Sequence, residues 1–215
     1  MLNLSPAVLI SRIITLIIAF TVHEFSHAWT ANYFGDDTPR LNGRLTLNPL
    51  SHLDVMGSLL LIIAGFGWAK PVPVNPYALN QRSKSAYMWV SLAGPISNFV
   101  MAILAAIPFR LGLIPFRFTS GSWMPTLSSF LFEFIIINLA LMLFNLIPLA
   151  PLDGEKVLEF FIPENLRSGF DKIKQYGPIL LIVLIFVLPR VGFDIIGMVL
   201  RPALTGLFTL LVGGI

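Results

Sequence analysis

Two histidines and a glutamate stand together near the end of the first apolar stretch of this chain, in the run TVHEFSHAWT. His23 and His27 are four residues apart, so on an α-helix both imidazoles lie on one face and can bind the same metal ion. Glu24 follows His23 directly and lies on the same side, where its carboxylate can contact a water at the metal. The spacing therefore predicts a zinc site in which a glutamate acts as the general base.

The predicted site needs one more ligand, because a catalytic zinc ion takes three protein ligands and leaves one position open. Asp153 is the best candidate, since it follows a long apolar stretch on backbone that Pro148 and Pro151 interrupt. Chance explains the histidines poorly, because the chain has only three of them and ionisable groups inside a membrane are costly enough to be functional by default. We predict one zinc ion per chain, bound by His23, His27 and Asp153.

The composition places these residues in a membrane. Of the 215 residues, 56% are hydrophobic and 12% are charged, and the mean hydropathy is +0.82, which is far more apolar than a soluble domain. Four stretches approach the roughly 20 residues that cross a bilayer: Pro6 to Trp29, Ala86 to Ile107, Leu127 to Leu149 and a block from Pro178 onward. The chain has no cysteine, which excludes thiolate ligands. We also expect no nucleic-acid partner.

We predict an all-α polytopic membrane protein that forms one domain over residues 1–215. A three-helix catalytic core is expected, followed by a C-terminal membrane segment, with approximate bounds of 6–32, 84–107 and 126–150 for the core helices and 177–213 for the last segment. Pro189, Arg190 and Asp194 interrupt that last segment. The sequence therefore leaves open whether it forms one span or two.

Residues 33–83 form a predicted loop region near the active site. The run LNGRLTL, residues 41–47, resembles a short β-hairpin that turns at Asn42-Gly43. Val55 to Phe66 is apolar but only about a dozen residues long, which favours a re-entrant or interfacial segment over a full span. The Pro-Val-Pro-Val run that follows is incompatible with helix and favours extended backbone.

The placement of lysine and arginine predicts the orientation in the membrane. These residues are concentrated in residues 33–85 and after Asp153, whereas the loop between the second and third core helices holds only Arg110 and Arg117. Because cytoplasmic loops carry an excess of positive charge, we expect the first two segments in the cytoplasm. The N-terminus then lies outside, and the predicted ligands lie toward the cytoplasmic ends of their helices.

Five motifs together resemble the site-2 protease family of intramembrane zinc metalloproteases: HEFSH, LNPLSHLDVMGSL, GWAKPVPVNP, SLAGPISN and NLIPLAPLDG. The resemblance is to the compact bacterial or archaeal branch, without a PDZ or CBS domain, and it implies a multi-pass protein of the cell membrane. His23, His27 and Asp153 match the family's zinc ligands, and Glu24 matches its catalytic base. The resemblance also implies functional roles for two asparagines, with Asn145 holding substrate or stabilising the oxyanion and Asn98 binding substrate.

The loop residues His52 and Asp54 allow two interpretations. The pair could orient a metal ligand or gate water at the metal. Alternatively, the run NPLSHLD is a loop cap in which both side chains bond to nearby backbone. The sequence does not decide between these interpretations.

The resemblance implies hydrolysis of a peptide bond in or near the transmembrane segment of a membrane protein, within the lipid bilayer. Such a helix must unwind locally, and the extended chain could then add as a strand beside residues 41–47 or KPVPV. One alternative is a membrane metal or proton transporter, which would need no base beside the metal. Another is a pseudoprotease that binds membrane helices without cutting them. The oligomeric state is not determined.

Overall fold

The computed structural model describes residues 5–57, 60, 67–116 and 123–213. The helices are α1 (Pro6–Tyr33), α2 (Thr38–Leu41), α3 (Pro76–Arg82), α4 (Ala86–Arg110), α5 (Leu127–Asn145), α6 (Asp153–Phe161), α7 (Glu164–Gln175), α8 (Gly177–Ile182) and α9 (Ile195–Val212). Among the described residues there is no β-strand, and α1, α4, α5 and α9 are each long and apolar enough to cross a membrane. The prediction of an all-α polytopic membrane protein is confirmed.

The helix that carries both histidines has well-defined ends. The hydroxyl of Ser5 accepts a hydrogen bond from the N–H of Val8 (3.4 Å), and proline occupies the first turn of α1, where its missing N–H is not needed. The helix ends before Gly35, whose φ of 87° turns the chain away. Three alanines on its inner face are fully buried and let the neighbouring helices approach closely: Ala19, Ala28 and Ala31.

The core forms where α1, α4 and α5 pack against one another, and α9 packs against α4 and α5. The apolar cluster between α4, α5 and α9 consists of Ala102, Ala105, Ala106, Phe109, Ile135, Leu139, Met142, Phe208 and Val212. Because lipid is as apolar as these side chains, close van der Waals packing holds the helices together rather than exclusion from water. An ion pair adds a polar link between α1 and α5, with Arg12 Nε 2.9 Å from Glu133 Oε2.

The predicted β-hairpin at residues 41–47 is wrong. The chain there leaves α2 through a Schellman motif, in which the Arg44 N–H donates to Pro39 O (2.8 Å) and the Gly43 N–H to Arg40 O (3.0 Å). Gly43 has a φ of 65°, the left-handed conformation that this helix ending requires and that glycine adopts without steric penalty. The Asn-Gly pair therefore ends a short helix instead of turning a hairpin.

The predicted re-entrant segment, Val55 to Phe66, lies for the most part outside the described residues. On its near side the chain is helical at residues 55–57. An isolated antiparallel bridge joins Leu53 to Ala69. The chain beyond the segment therefore returns beside the loop from which the segment starts.

The C-terminal region contains one straight candidate span and one bent candidate. After α8, the chain continues through a π-helical turn (Val183–Val187) and a 3-10 turn (Leu188–Val191), and Gly192 then adopts a φ of 92°. The segment Gly177–Val191 and the preceding helix α7 form a helix pair bent by 57°. By contrast, α9 alone is long and apolar enough to cross a membrane. Left-handed backbone at Gly192 separates the two parts.

Lys174 on α7 links the C-terminal region to the helix that begins with Asp153. Its Nζ lies 2.6 Å from Glu155 Oε1 and 2.8 Å from Glu159 Oε2, both on α6. Because Glu155 is itself buried, this ion-pair cluster anchors the first turn of α6, where Asp153 lies.

Candidate metal centre

Three potential metal-binding side chains converge where α1 meets the start of α6. His23 and His27 lie on one face of α1 and are both buried, and Asp153 reaches them from the first residue of α6. The two Nε2 atoms are 3.0 Å apart, and Asp153 Oδ2 lies 3.2 Å from His23 Nε2 and 3.3 Å from His27 Nε2. The structure thus brings together the three residues that the sequence analysis predicts as ligands.

The remaining ring nitrogens show which tautomer each histidine adopts. His27 Nδ1 lies 2.7 Å from the carbonyl oxygen of Val90, which only accepts hydrogen bonds. His23 Nδ1 lies 2.6 Å from Asn98 Oδ1, and the amide nitrogen of Asn98 donates to Asn138. Both Nδ1 atoms therefore carry a hydrogen, which leaves the two Nε2 atoms, next to Asp153, as the ring nitrogens available to a metal ion.

A metal cation fits this arrangement. The two Nε2 atoms and the Asp153 carboxylate oxygen lie 3.0–3.3 Å apart. Such electron-rich atoms repel one another at this distance unless a positive charge lies among them. Tetrahedral zinc, with bonds of about 2.0–2.2 Å, separates adjacent ligand atoms by about 3.3 Å. Two histidines and one carboxylate also form a ligand set of catalytic zinc sites, which leave a fourth position open.

Gly94 on α4 lies directly against the two imidazoles. A Cβ at this position would stand 2.5 Å from the Nε2 atoms of both His23 and His27, well inside van der Waals contact. Space at the ligand atoms therefore requires glycine here. A small residue in an apolar helix usually indicates close helix packing, but the nearest neighbours of Gly94 are the ligand atoms themselves.

Glu24 lies beside the ligands without joining them. Its side chain is 8% exposed, and its Oε2 accepts a hydrogen bond from the N–H of Val72 at 3.1 Å. Glu24, the three candidate ligands and Asn145 all line one cavity of about 520 Å³. The other lining residues are mostly apolar and include Phe20, Trp68, Pro71, Val74, Val90, Leu141, Phe144 and Leu181. A carboxylate next to a metal site and open to such a cavity can exchange a proton with a molecule bound there.

Comparison with known proteins agrees with this geometry. A family model described as peptidase family M50 matches residues 111–188, which contain Asn145 and Asp153. The chain is also 42% identical, over 177 residues, to YwhC of Bacillus subtilis, named as a candidate zinc metalloprotease, and the match covers 82% of this chain and 80% of that protein. This chain belongs to the M50, or site-2 protease, family. As an M50 member it is a zinc metalloprotease, and zinc is its cofactor.

Two further relatives of this chain carry similar names. Rip2 of Mycolicibacterium smegmatis is 34% identical over 178 residues, which is 79% of this chain and 64% of Rip2. MJ0611 of Methanocaldococcus jannaschii is 30% identical over 158 residues, 74% of each chain. Both are named as candidate zinc metalloproteases. No solved structure matches this M50 chain.

The two asparagines predicted from the motifs lie in different environments in this M50 chain. Asn145 lines the cavity near the end of α5, and its amide nitrogen donates to the carbonyl of Leu141 (3.0 Å). Asn98 is fully buried behind His23, with its oxygen on that ring and its nitrogen 2.9 Å from Asn138 Oδ1. Asn138 donates in turn to the backbone of α5, so this chain of hydrogen bonds connects α1, α4 and α5.

The side chains of His52 and Asp54 make their described hydrogen bonds within or next to their own loop. His52 is fully buried, with Nε2 2.7 Å from the carbonyl of Thr46. Asp54 Oδ1 accepts a hydrogen bond from the Gly57 N–H at 2.8 Å, as a residue that caps a helix does. Neither side chain lines the cavity, and these contacts favour the loop-cap interpretation.

Sequence reasoning missed three residues that shape the M50 site. Gly94 leaves space at the ligand atoms, and Asn138 supports Asn98. Asp36 is 1% exposed and accepts hydrogen bonds from the N–H groups of Thr38 (2.9 Å) and Asn75 (2.6 Å). In each case the role depends on a partner distant in sequence. The one local signal is the high density of small residues and turn formers in SLAGPISN, which contains Gly94, and in GDDTP, which contains Asp36.

Proposed function

We propose that this M50 chain is an intramembrane endopeptidase that hydrolyses a peptide bond in or near the transmembrane segment of a membrane protein. The observation that carries the proposal is that a base and three candidate metal ligands open into one mostly apolar cavity, to which three helices able to cross a membrane contribute. Membership of the site-2 protease family supports a membrane-protein substrate. An apolar cavity inside a bilayer suits an unwound apolar segment, whereas a soluble peptide would have to leave water to reach it.

Glu24 has the central chemical role in this proposal. Zinc, when bound, supplies a Lewis acid that polarises a carbonyl oxygen and makes a water more acidic. Glu24 accepts the proton of the attacking water on its carboxylate and delivers it to the nitrogen of the leaving amine. Since its Oε2 already binds the Val72 N–H, the carboxylate is held in one orientation and its other oxygen is available for the proton.

The two asparagines have separate roles in the proposed mechanism. Asn145 lies in the cavity, where its side-chain amide can hold the substrate backbone or donate to the oxyanion, a contact worth about 3–4 kcal/mol when well aimed. Asn98 does not line the cavity, so we assign it to His23 rather than to substrate. Its oxygen holds the Nδ1 hydrogen of that ring and keeps Nε2 directed at the metal position.

A purified sample of the chain, reconstituted in lipid vesicles with zinc and a panel of single-span membrane proteins, tests the proposal. We expect at least one substrate to be cut within or beside its transmembrane segment, and the cut to stop when a chelator removes zinc. A transporter would instead move metal ions across the vesicle membrane without cutting any substrate. Metal flux without cleavage would therefore overturn the proposal, and binding without cleavage would indicate a pseudoprotease.

The orientation of the chain is a further part of the proposal. Positive charge in residues 33–85 and after Asp153 supports an active site that faces the cytoplasm. A reporter fused near Asn80 or Arg167 should therefore give a cytoplasmic signal, and one fused near Met124, between α4 and α5, an exterior signal. The opposite pattern at all three positions would contradict a cytoplasmic site.

A further inference from the structure

An extended segment of the chain binds directly to the proposed general base. Residues 67–75, with the sequence GWAKPVPVN, are called the PVPV segment here. The N–H of Val72 in this segment donates to Glu24 Oε2 at 3.1 Å. Pro71 and Pro73 on either side have no N–H, so Val72 supplies the one backbone donor of that tripeptide. The hydrogen bond fixes the position of one oxygen of Glu24.

The PVPV segment is held in place from outside the cavity by three contacts. The N–H of Lys70 donates to the carbonyl of His52 at 2.7 Å, and a guanidinium nitrogen of Arg44 donates to the carbonyl of Lys70. At the far end of the segment, the N–H of Asn75 donates to Asp36 Oδ2 at 2.6 Å. Both backbone groups of Lys70 are thus occupied, two residues before Val72.

Arg44 is an unusual residue to find in such a position. Its side chain is 4% exposed, and its Nε has no hydrogen-bond partner among the described residues. Burial lowers the pKa of the guanidinium from its ordinary value, and the negative charge of Glu24 acts in the opposite direction. Burying a cation costs free energy unless it is paired or hydrogen-bonded, and the contact of Arg44 with the Lys70 carbonyl provides such a hydrogen bond.

We propose that Arg44 is a positioning residue for the general base. By binding the carbonyl of Lys70, Arg44 holds the PVPV segment at the distance at which the Val72 N–H reaches Glu24. Arg44 thereby acts on the chemical step through two intervening residues, without touching substrate or metal. The inference rests on the proposed function, because it requires that Glu24 acts as a base in peptide hydrolysis.

The first test removes the Val72 N–H alone. Val72→Pro keeps the extended backbone and deletes the donor, whereas Val72→Ala shortens the same side chain and keeps the N–H. Against the cleaved substrate, Val72→Pro should lower kcat about 10- to 100-fold relative to Val72→Ala, the effect of losing one hydrogen bond to a charged group. For Val72→Pro, KM and zinc content should change less than about twofold. An equal fall in kcat in the two variants, or a rise in KM alone, would overturn the proposal.

The second test connects Arg44 to Val72. Arg44→Gln should lower kcat about as much as Val72→Pro, whereas Arg40→Gln, at an exposed arginine paired with Asp37, should leave kcat unchanged. If both residues act through the same hydrogen bond, the double variant should be no slower than the slower single variant. Fold losses that multiply in the double variant would show that Arg44 acts by another route. If the unmodified chain cut no membrane-protein substrate, that result would instead contradict the proposed function itself.

Discussion

Glu24→Gln is expected to leave zinc bound and to lower the rate of substrate cleavage at least about 100-fold. Glutamine has nearly the same shape as glutamate, and its oxygen can still accept the Val72 N–H, so the ligands and the cavity should stay in place. The amide cannot take a proton from the attacking water. Cleavage rate, zinc content and substrate binding should be measured on the same preparation.

The control for this prediction is Glu164→Gln, at a glutamate side chain that is 94% exposed and lies outside the metal centre. It removes the same charge and should leave the cleavage rate unchanged. Normal cleavage by Glu24→Gln would exclude Glu24 as the base. Zinc transport that is unaffected by Glu24→Gln, with no cleavage by the unmodified chain, would support the transporter alternative.

Removing any one metal ligand is expected to abolish both zinc binding and cleavage. The unmodified chain should carry about one zinc ion, whereas His23→Ala, His27→Ala and Asp153→Ala should each retain on the order of a tenth of that amount or less after dialysis, because three protein ligands are the minimum in catalytic zinc sites. Metal analysis of the purified variants provides the measurement. Full zinc content in Asp153→Ala would show that another residue is the third ligand.

Gly94→Ala tests the same site without changing a ligand. The added Cβ would stand 2.5 Å from both Nε2 atoms, so α4 must move away or the imidazoles must rotate, and zinc content should fall at least about tenfold since ligand geometry is then lost. Gly206→Ala in α9 adds the same methyl group where no atom beyond the adjoining helix backbone and its two chain neighbours lies within 4 Å, and it should keep full zinc content. Equal zinc content in the two variants would contradict the close contact at Gly94.

Several features of the fold could be predicted because they depend on short stretches of chain. The apolar stretches predict the core helices, and their observed bounds are Pro6–Tyr33, Ala86–Arg110 and Leu127–Asn145. The hairpin prediction failed because the same Asn-Gly pair suits two backbone paths. Either a type I′ turn or a helix ending accommodates left-handed backbone at Gly43, and Pro39, in the first turn of α2, favours the helix.

The metal centre was predictable to a different extent for each residue. His23 and His27 could be paired because their four-residue spacing alone puts them on one helix face. Asp153 was selected by elimination among the acids, and only the distances of 3.2 and 3.3 Å show that it reaches both histidines. The location of Asn98 behind His23 could not be derived, because the motif that contains it does not indicate which face of α4 meets α1.

The sequence by itself determined that this chain is an all-helical membrane protein of the site-2 protease family with a histidine pair suited to zinc. The membrane helices and the histidine pair follow from residue type, apolar length and spacing within one helix, which are local properties. The family follows from the resemblance of five short motifs to site-2 proteases. Only the tertiary structure decided which atoms accept hydrogen bonds from the Nδ1 atoms of His23 and His27. It also decided why position 94 is glycine and that the Val72 N–H reaches Glu24, 48 residues away in sequence. Each of these contacts joins segments far apart in sequence, and their distances depend on how the helices pack and where the loops return.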